Sequence, residues 1–223
     1  CQMTTFLSGL LFLHVAAGST ALLAGFGALL TRKGQRYHLW SGRVYFWSMA
    51  LVASTALPLA VLRSNVFLFA VAIFSFYLAF SGYRVVIRRR RGQLGRATWL
   101  DWTAIACLLL ASTGLLLYGF GPGNGDIAAI VFGGIGGLLG IRDLRGFSRA
   151  PASGEVGEWW RTHMIGMLGA YIATFTAFAV TNATFLPVLV RWLGPTLLGS
   201  IGIVVWVRRY RRQRQQSANA RRS

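Results

Sequence analysis

Seven long apolar stretches alternate with short polar connections along this chain. They run over Thr5–Thr31, Gly42–Leu62, Val66–Ile87, Trp99–Phe120, Ile127–Ile141, His163–Thr181 and Trp192–Val207. Apolar runs approaching the ~20 residues that cross a hydrocarbon layer predict transmembrane helices. The expected fold is therefore all-α: a polytopic membrane bundle of about seven helices, with residues 1–207 as a single transmembrane domain. The segment 208–223 is rich in Arg, Gln, Ser, Ala and Asn. It cannot bury a core and is expected to be a basic, unstructured cytoplasmic tail.

The charges orient this bundle. Of 23 Lys and Arg residues, 21 fall within 32–43, 84–96, 142–161 and 208–222, leaving only Arg63 and Arg191 elsewhere. Those four stretches are alternate connections plus the tail. By the positive-inside rule they are cytoplasmic, so the N-terminus is expected outside and the C-terminus inside a bacterial cytoplasmic (inner) membrane. Tryptophans follow the same boundaries: Trp40, Trp99, Trp102, Trp159, Trp160 and Trp206 at the inner ends and Trp192 at an outer end, as expected for interfacial anchors.

Composition agrees. The chain of 223 residues is 55% hydrophobic and 13% charged, whereas about a quarter of a soluble domain is charged. The formal net charge of +18 would point to nucleic acid in a soluble protein. Here it sits in short loops beside a bilayer, so anionic lipid at the cytoplasmic face is the expected partner and nucleic acid is not. Two cysteines, Cys1 and Cys107, form no disulfide framework. The Gly-rich helix 127–141 carries Gly133, Gly134, Gly136, Gly137 and Gly140. Such spacing favours close helix packing, within the chain or in an oligomer, and a short Gly-interrupted helix also occurs at transporter sites.

Candidate chemistry rests on three histidines. His14 lies inside the first segment, His38 just before the second, and His163 opens the sixth. An ionisable group within a membrane is costly unless neutral or paired, which marks it for a role. Helical steps from His14 reach Gly18, Ala21 and Gly25, and from His163 reach Met167, Ala170, Thr174 and Thr181. These faces are small or polar, so both histidines are expected to point inward. His14 stands 17 residues from Thr31, about 25 Å along a helix. His38 and His163 share the inner level, so one ligand is more easily held by that pair. Two imidazoles could hold haem iron axially, or copper or zinc, though no carboxylate or thiol cluster completes a zinc site. Haem b is the leading expectation, with a quinone as the other cofactor; the metal is open. Trp40, Arg43, Tyr45 and Tyr171 are near enough to pack a ring or meet an acidic group. The acids are Asp101, Asp126, Asp143, Glu155 and Glu158; Asp101 and Asp143 are expected in interfacial ion pairs with Arg96, Arg142 or Arg145. No nucleophile elbow, phosphate loop or zinc-protease motif is present.

Several strings resemble a bacterial family of predicted membrane proteins, catalogued as domain of unknown function 2306. They are His14 with Gly18, Lys33-Gly34, His38, Gly42-Arg43, Asp101-Trp102, Asp143, the run from His163 through Met167 and Gly169–Thr174 to Asn182, then Trp192 and Pro195. Similar proteins often carry His-Arg at the second histidine, where this chain reads His38-Leu39. The resemblance implies a polytopic fold, marks the three histidines, and names no activity. Three functional classes fit these residues: a protein binding a redox cofactor (haem or quinone), a small-solute or proton-coupled transporter, and a membrane scaffold or assembly factor without catalysis.

Overall fold

The structure is a computed structural model that describes residues 2–94, 96–122, 125–148 and 159–219. Cys1, Glu155 and Glu158 lie outside the described residues. Seven helices follow one another: α1 (Gln2–Leu30), α2 (Arg36–Leu62), α3 (Val66–Arg90), α4 (Trp99–Phe120), α5 (Ile127–Ser148), α6 (Trp159–Asn182) and α7 (Val188–Asn219). Each is long and apolar enough to cross a membrane. Among the described residues there is no strand. A spanning segment must satisfy its own backbone, and a helix does so internally.

The helix ends show local causes. Asn65 accepts the Leu68 backbone N–H at 2.9 Å and starts α3. Asp101 accepts the Thr98 backbone N–H at 2.8 Å at the start of α4, and Asp126 accepts from Ala129 ahead of α5. At the end of α3, Gly92 takes a positive φ of 65°. Its N–H reaches Arg89 O, and the Gln93 N–H reaches Arg88 O at 2.8 Å, the paired bonds of a left-handed glycine stop.

Three helices run six or more residues past the apolar pattern at one end. The second begins at Arg36, so His38 is in its first turn rather than in the preceding loop. The fifth continues past Ile141 to Ser148 as an unbroken helix of 22 residues, which removes the argument from a short, interrupted segment. The seventh continues past Val207 to Asn219. Arg and Gln are good helix formers, and Tyr210 packs on Trp160 of α6 at 5.0 Å, so this stretch is helical where an unstructured tail was expected.

Central helix α3 packs against α2, α4 and α6, and α6 in turn against α7 and the edge of α1. Helices α1 and α2 form one hairpin, α4 and α5 another. The core runs through Ala21, Tyr45, Phe74, Leu78, Ile105, Leu108, Phe132 and Ala170. Glycines set the closest crossings. A Cβ on Gly166 would lie 2.7 Å from Gly82 Cα and N, so α3 and α6 touch backbone to backbone. On α5, Gly133, Gly136 and Gly140 face α4, whereas Gly134 and Gly137 have open space around them.

Candidate site at the basic end of the bundle

The ends of α1, α3 and α7 and the starts of α2 and α6 gather at the end of the bundle that carries most of the arginines. His38 comes from the first turn of α2 and His163 from the first turns of α6. Their rings stand 6.3 Å apart, centroid to centroid, at 84°. No α2 Cα lies within 8 Å of an α6 Cα among the described residues. Side chains alone bridge this slot: the two histidines, then Tyr45 with Tyr171 at 6.3 Å, then Tyr45 Oη with Thr174 Oγ1 at 3.2 Å.

Each imidazole is held by one nitrogen. His38 Nδ1 donates to Ala28 O at 3.0 Å, and His163 Nδ1 donates to Gly82 O at 2.9 Å. A carbonyl oxygen can only accept, so Nδ1 carries a proton on each ring, and a neutral ring then keeps its lone pair on Nε2. A backbone carbonyl on the far nitrogen is a usual way to orient a metal-binding histidine. The Gly82–Gly166 crossing delivers the second of these carbonyls, because only glycines allow α6 so close to α3.

Lys33 closes the end of α1. Its Nζ donates to Leu29 O at 2.7 Å and Ala28 O at 2.9 Å, satisfying carbonyls that a helix end leaves open. The same ammonium lies 5.3 Å from the Trp206 ring, and desolvation draws its pKa below the usual lysine value. Trp159 stands 6.5 Å from His163 with the Arg89 guanidinium 4.0 Å over its ring. The histidine pair is thus flanked by two cations and two indoles.

His14 is elsewhere. Its Nδ1 meets Thr55 Oγ1 at 3.0 Å, and that hydroxyl donates to Leu51 O at 2.8 Å. Thr55 lies 17 residues beyond His38 on α2, about 25 Å along the helix. The structure therefore brings together His38 and His163 and leaves His14 near the other end. Of the ring-packing residues expected, Tyr45 and Tyr171 enter the slot, whereas Trp40 and Arg43 are exposed. Trp160 is buried and so is not a surface anchor, while Trp192 is partly exposed and packs between Phe67 and Phe132.

The acids form a separate network between α3, α4 and α5. Asp101 pairs with Arg84 at 3.2 Å and Arg88 at 3.4 Å, both from α3 rather than from its neighbour Arg96. Tyr77 Oη donates to Asp143 at 2.6 Å, Arg142 pairs with Asp143 at 2.7 Å, and Phe147 covers the Arg88 guanidinium at 4.5 Å. This network needs the last turns of α5, which the apolar pattern omitted. Sequence reasoning missed Gly82 and Gly166 as site-building residues. Spacing alone could not single them out among 27 glycines.

No three His, Cys, Asp or Glu side chains cluster as a metal site among the described residues. The chain matches no protein-family model, no curated protein and no solved structure.

Proposed function

We propose that this chain is a membrane redox protein that holds a haem through His38 and His163. The observation that carries the reading is the spacing and shared tautomer of the two rings. The rings stand 6.3 Å apart, and with each Nδ1 held by a carbonyl the two Nε2 atoms would be the ones to hold a shared metal ion. Among the described residues no third protein ligand stands beside them, and a macrocycle that brings its own nitrogens would complete the coordination. Such a group supplies one-electron transfer when bound. His38 and His163 would hold it, Ala28 O and Gly82 O fix their rings, and Lys33 offers an ammonium to an acidic substituent.

The same proposal includes the orientation read from the arginines, with the N-terminus outside and the C-terminus in the cytoplasm of a bacterium, and membership of the domain-of-unknown-function family named above. The alternating charge supports the first and the quoted strings support the second.

The test is replacement of each ligand. His38→Ala and His163→Ala should each lose the haem absorbance while eluting as the wild type does in detergent, and His14→Ala should keep the spectrum. Retention of an unchanged spectrum in both His38→Ala and His163→Ala would discard the reading.

A further inference from the structure

Helix α7 is longer than a membrane is thick. It runs unbroken for 32 residues, whereas about 20 cross the hydrocarbon layer. About twelve residues, or about 18 Å of helix, are left to continue past it. The stretch 208–219 carries one large apolar or aromatic residue, Tyr210, and that ring packs on Trp160 at 5.0 Å. A helix that lies in the membrane surface needs an apolar face. This one has none to offer, so it stands out in line with the span.

That arm rises beside the histidine slot. Trp160, under Tyr210, is three residues before His163, and Trp206 at the foot of the arm meets Lys33 at the end of α1. His38 is the third residue of α2 and His163 the fifth of α6, so both lie within about 6 Å of the helix starts. Both are partly exposed. Exposed arginines surround this mouth: Arg32 and Arg36 at the turn from α1 to α2, Arg89 over Trp159, and Arg208, Arg209, Arg211 and Arg212 on the arm. Among the described residues the carboxylates at this end are Asp101 and Asp143, and Arg84, Arg88 and Arg142 take both. The face is left positive.

We infer that this face docks a water-soluble, acidic one-electron carrier protein, which passes its electron to the haem between His38 and His163. The redox half of that statement rests on the reading above; the charged face and the arm do not. The carrier loses one electron and the ferric iron gains it, with no atom or proton transferred. A haem held at the helix ends can be met from the aqueous side, and opposite charge concentrates and orients the carrier there. Anionic lipid is the competing occupant, since headgroups attract arginines at the bilayer edge. Arg211 and Arg212, however, lie about 7–9 Å past Trp206, at or beyond the rim of a headgroup layer about 5–7 Å deep.

The experiment places the full-length chain in phosphatidylcholine nanodiscs and uses an acidic two-iron ferredoxin as the probe. Binding is read by interferometry, and haem reduction by absorbance after the ferredoxin is reduced. Saturable binding is expected, weaker by about tenfold at about 0.1 M than at about 0.01 M salt, as the Debye length falls from about 30 Å to about 10 Å. Arg208→Gln, Arg209→Gln, Arg211→Gln and Arg212→Gln made together should weaken binding about tenfold and slow haem reduction to match, with the oxidised haem spectrum unchanged. Lys at the same four positions should bind as the wild type does, and Arg63→Gln, at the opposite end, should change nothing. Binding that is unchanged in the fourfold Gln variant, or a bound ferredoxin that leaves the haem oxidised, overturns the inference. Binding that vanishes in discs containing phosphatidylglycerol also overturns it and assigns the arginines to lipid. Salt- and arginine-dependent binding by a protein that carries no haem upholds the docking face and discards the haem reading alone.

Discussion

Gly166→Ala is the substitution that most directly connects packing to the site. A Cβ there would sit 2.7 Å from Gly82 Cα and N and 2.8 Å from Leu78 O, where ordinary contact begins at 3.4 Å. All three neighbours are backbone atoms, so no side chain can turn away and the helices must part by about 0.7 Å, the difference between those contact distances. Overpacking of this kind costs about 1–3 kcal/mol, and the better helix propensity of Ala returns about 1 kcal/mol. The net loss is up to about 2 kcal/mol, or a melting temperature lower by up to about 8 °C for a chain of this size. Rigid-body parting along that line would also stretch the His163–Gly82 hydrogen bond from 2.9 Å to about 3.6 Å, beyond useful reach. Gly166→Ala should therefore melt earlier and hold haem less firmly. Gly169→Ala is the control, since its Cβ would meet only Leu78 methyl groups at 3.4 Å. Thermal melts in detergent, read alongside haem retention, decide the matter. Equal stability and equal haem retention in the two variants would refute the reasoning.

Asp101→Asn should be the most damaging single charge change, because Arg84 and Arg88 lose a carboxylate that is itself 4% exposed. Breaking a buried pair from one side costs about 3–5 kcal/mol, to be seen as a collapse in yield and melting temperature. Arg142→Gln should stay within about 1 kcal/mol of wild type, since its side chain is 46% exposed; comparable losses in the two variants would contradict the network described. In a background lacking Cys1 and Cys107, a membrane-impermeant maleimide should label Ser64→Cys in intact cells and Gln93→Cys only after permeabilisation, and the reverse order would invert the orientation.

The number and placement of the helices were legible because a bilayer demands long apolar runs and the arginines punctuate them. Helix ends were less so. Arg36 and Tyr37 read as loop residues, yet Gln35 adopts the extended backbone that precedes a helix, which puts His38 on α2. The shared level of His38 and His163 was readable from helical rise alone. What holds them was not. Ala28 O and Gly82 O belong to backbone, which leaves no mark in residue identity. The Gly82–Gly166 contact joins positions 84 residues apart, and nothing local pairs them. Asp101 likewise finds Arg84 and Arg88 across a turn rather than its nearer neighbour Arg96, because α3 runs antiparallel beside α4. Local pattern exposes elements; tertiary partners follow from packing.

The central claim is that His38 and His163 hold haem, and an absorbance spectrum tests it most directly. The protein is purified in detergent from a haem-replete host, recorded oxidised and then reduced with dithionite, with metal content determined on the same sample. A Soret band that sharpens and shifts on reduction, with about one iron per chain, is the predicted result. A featureless spectrum with no bound metal would contradict it.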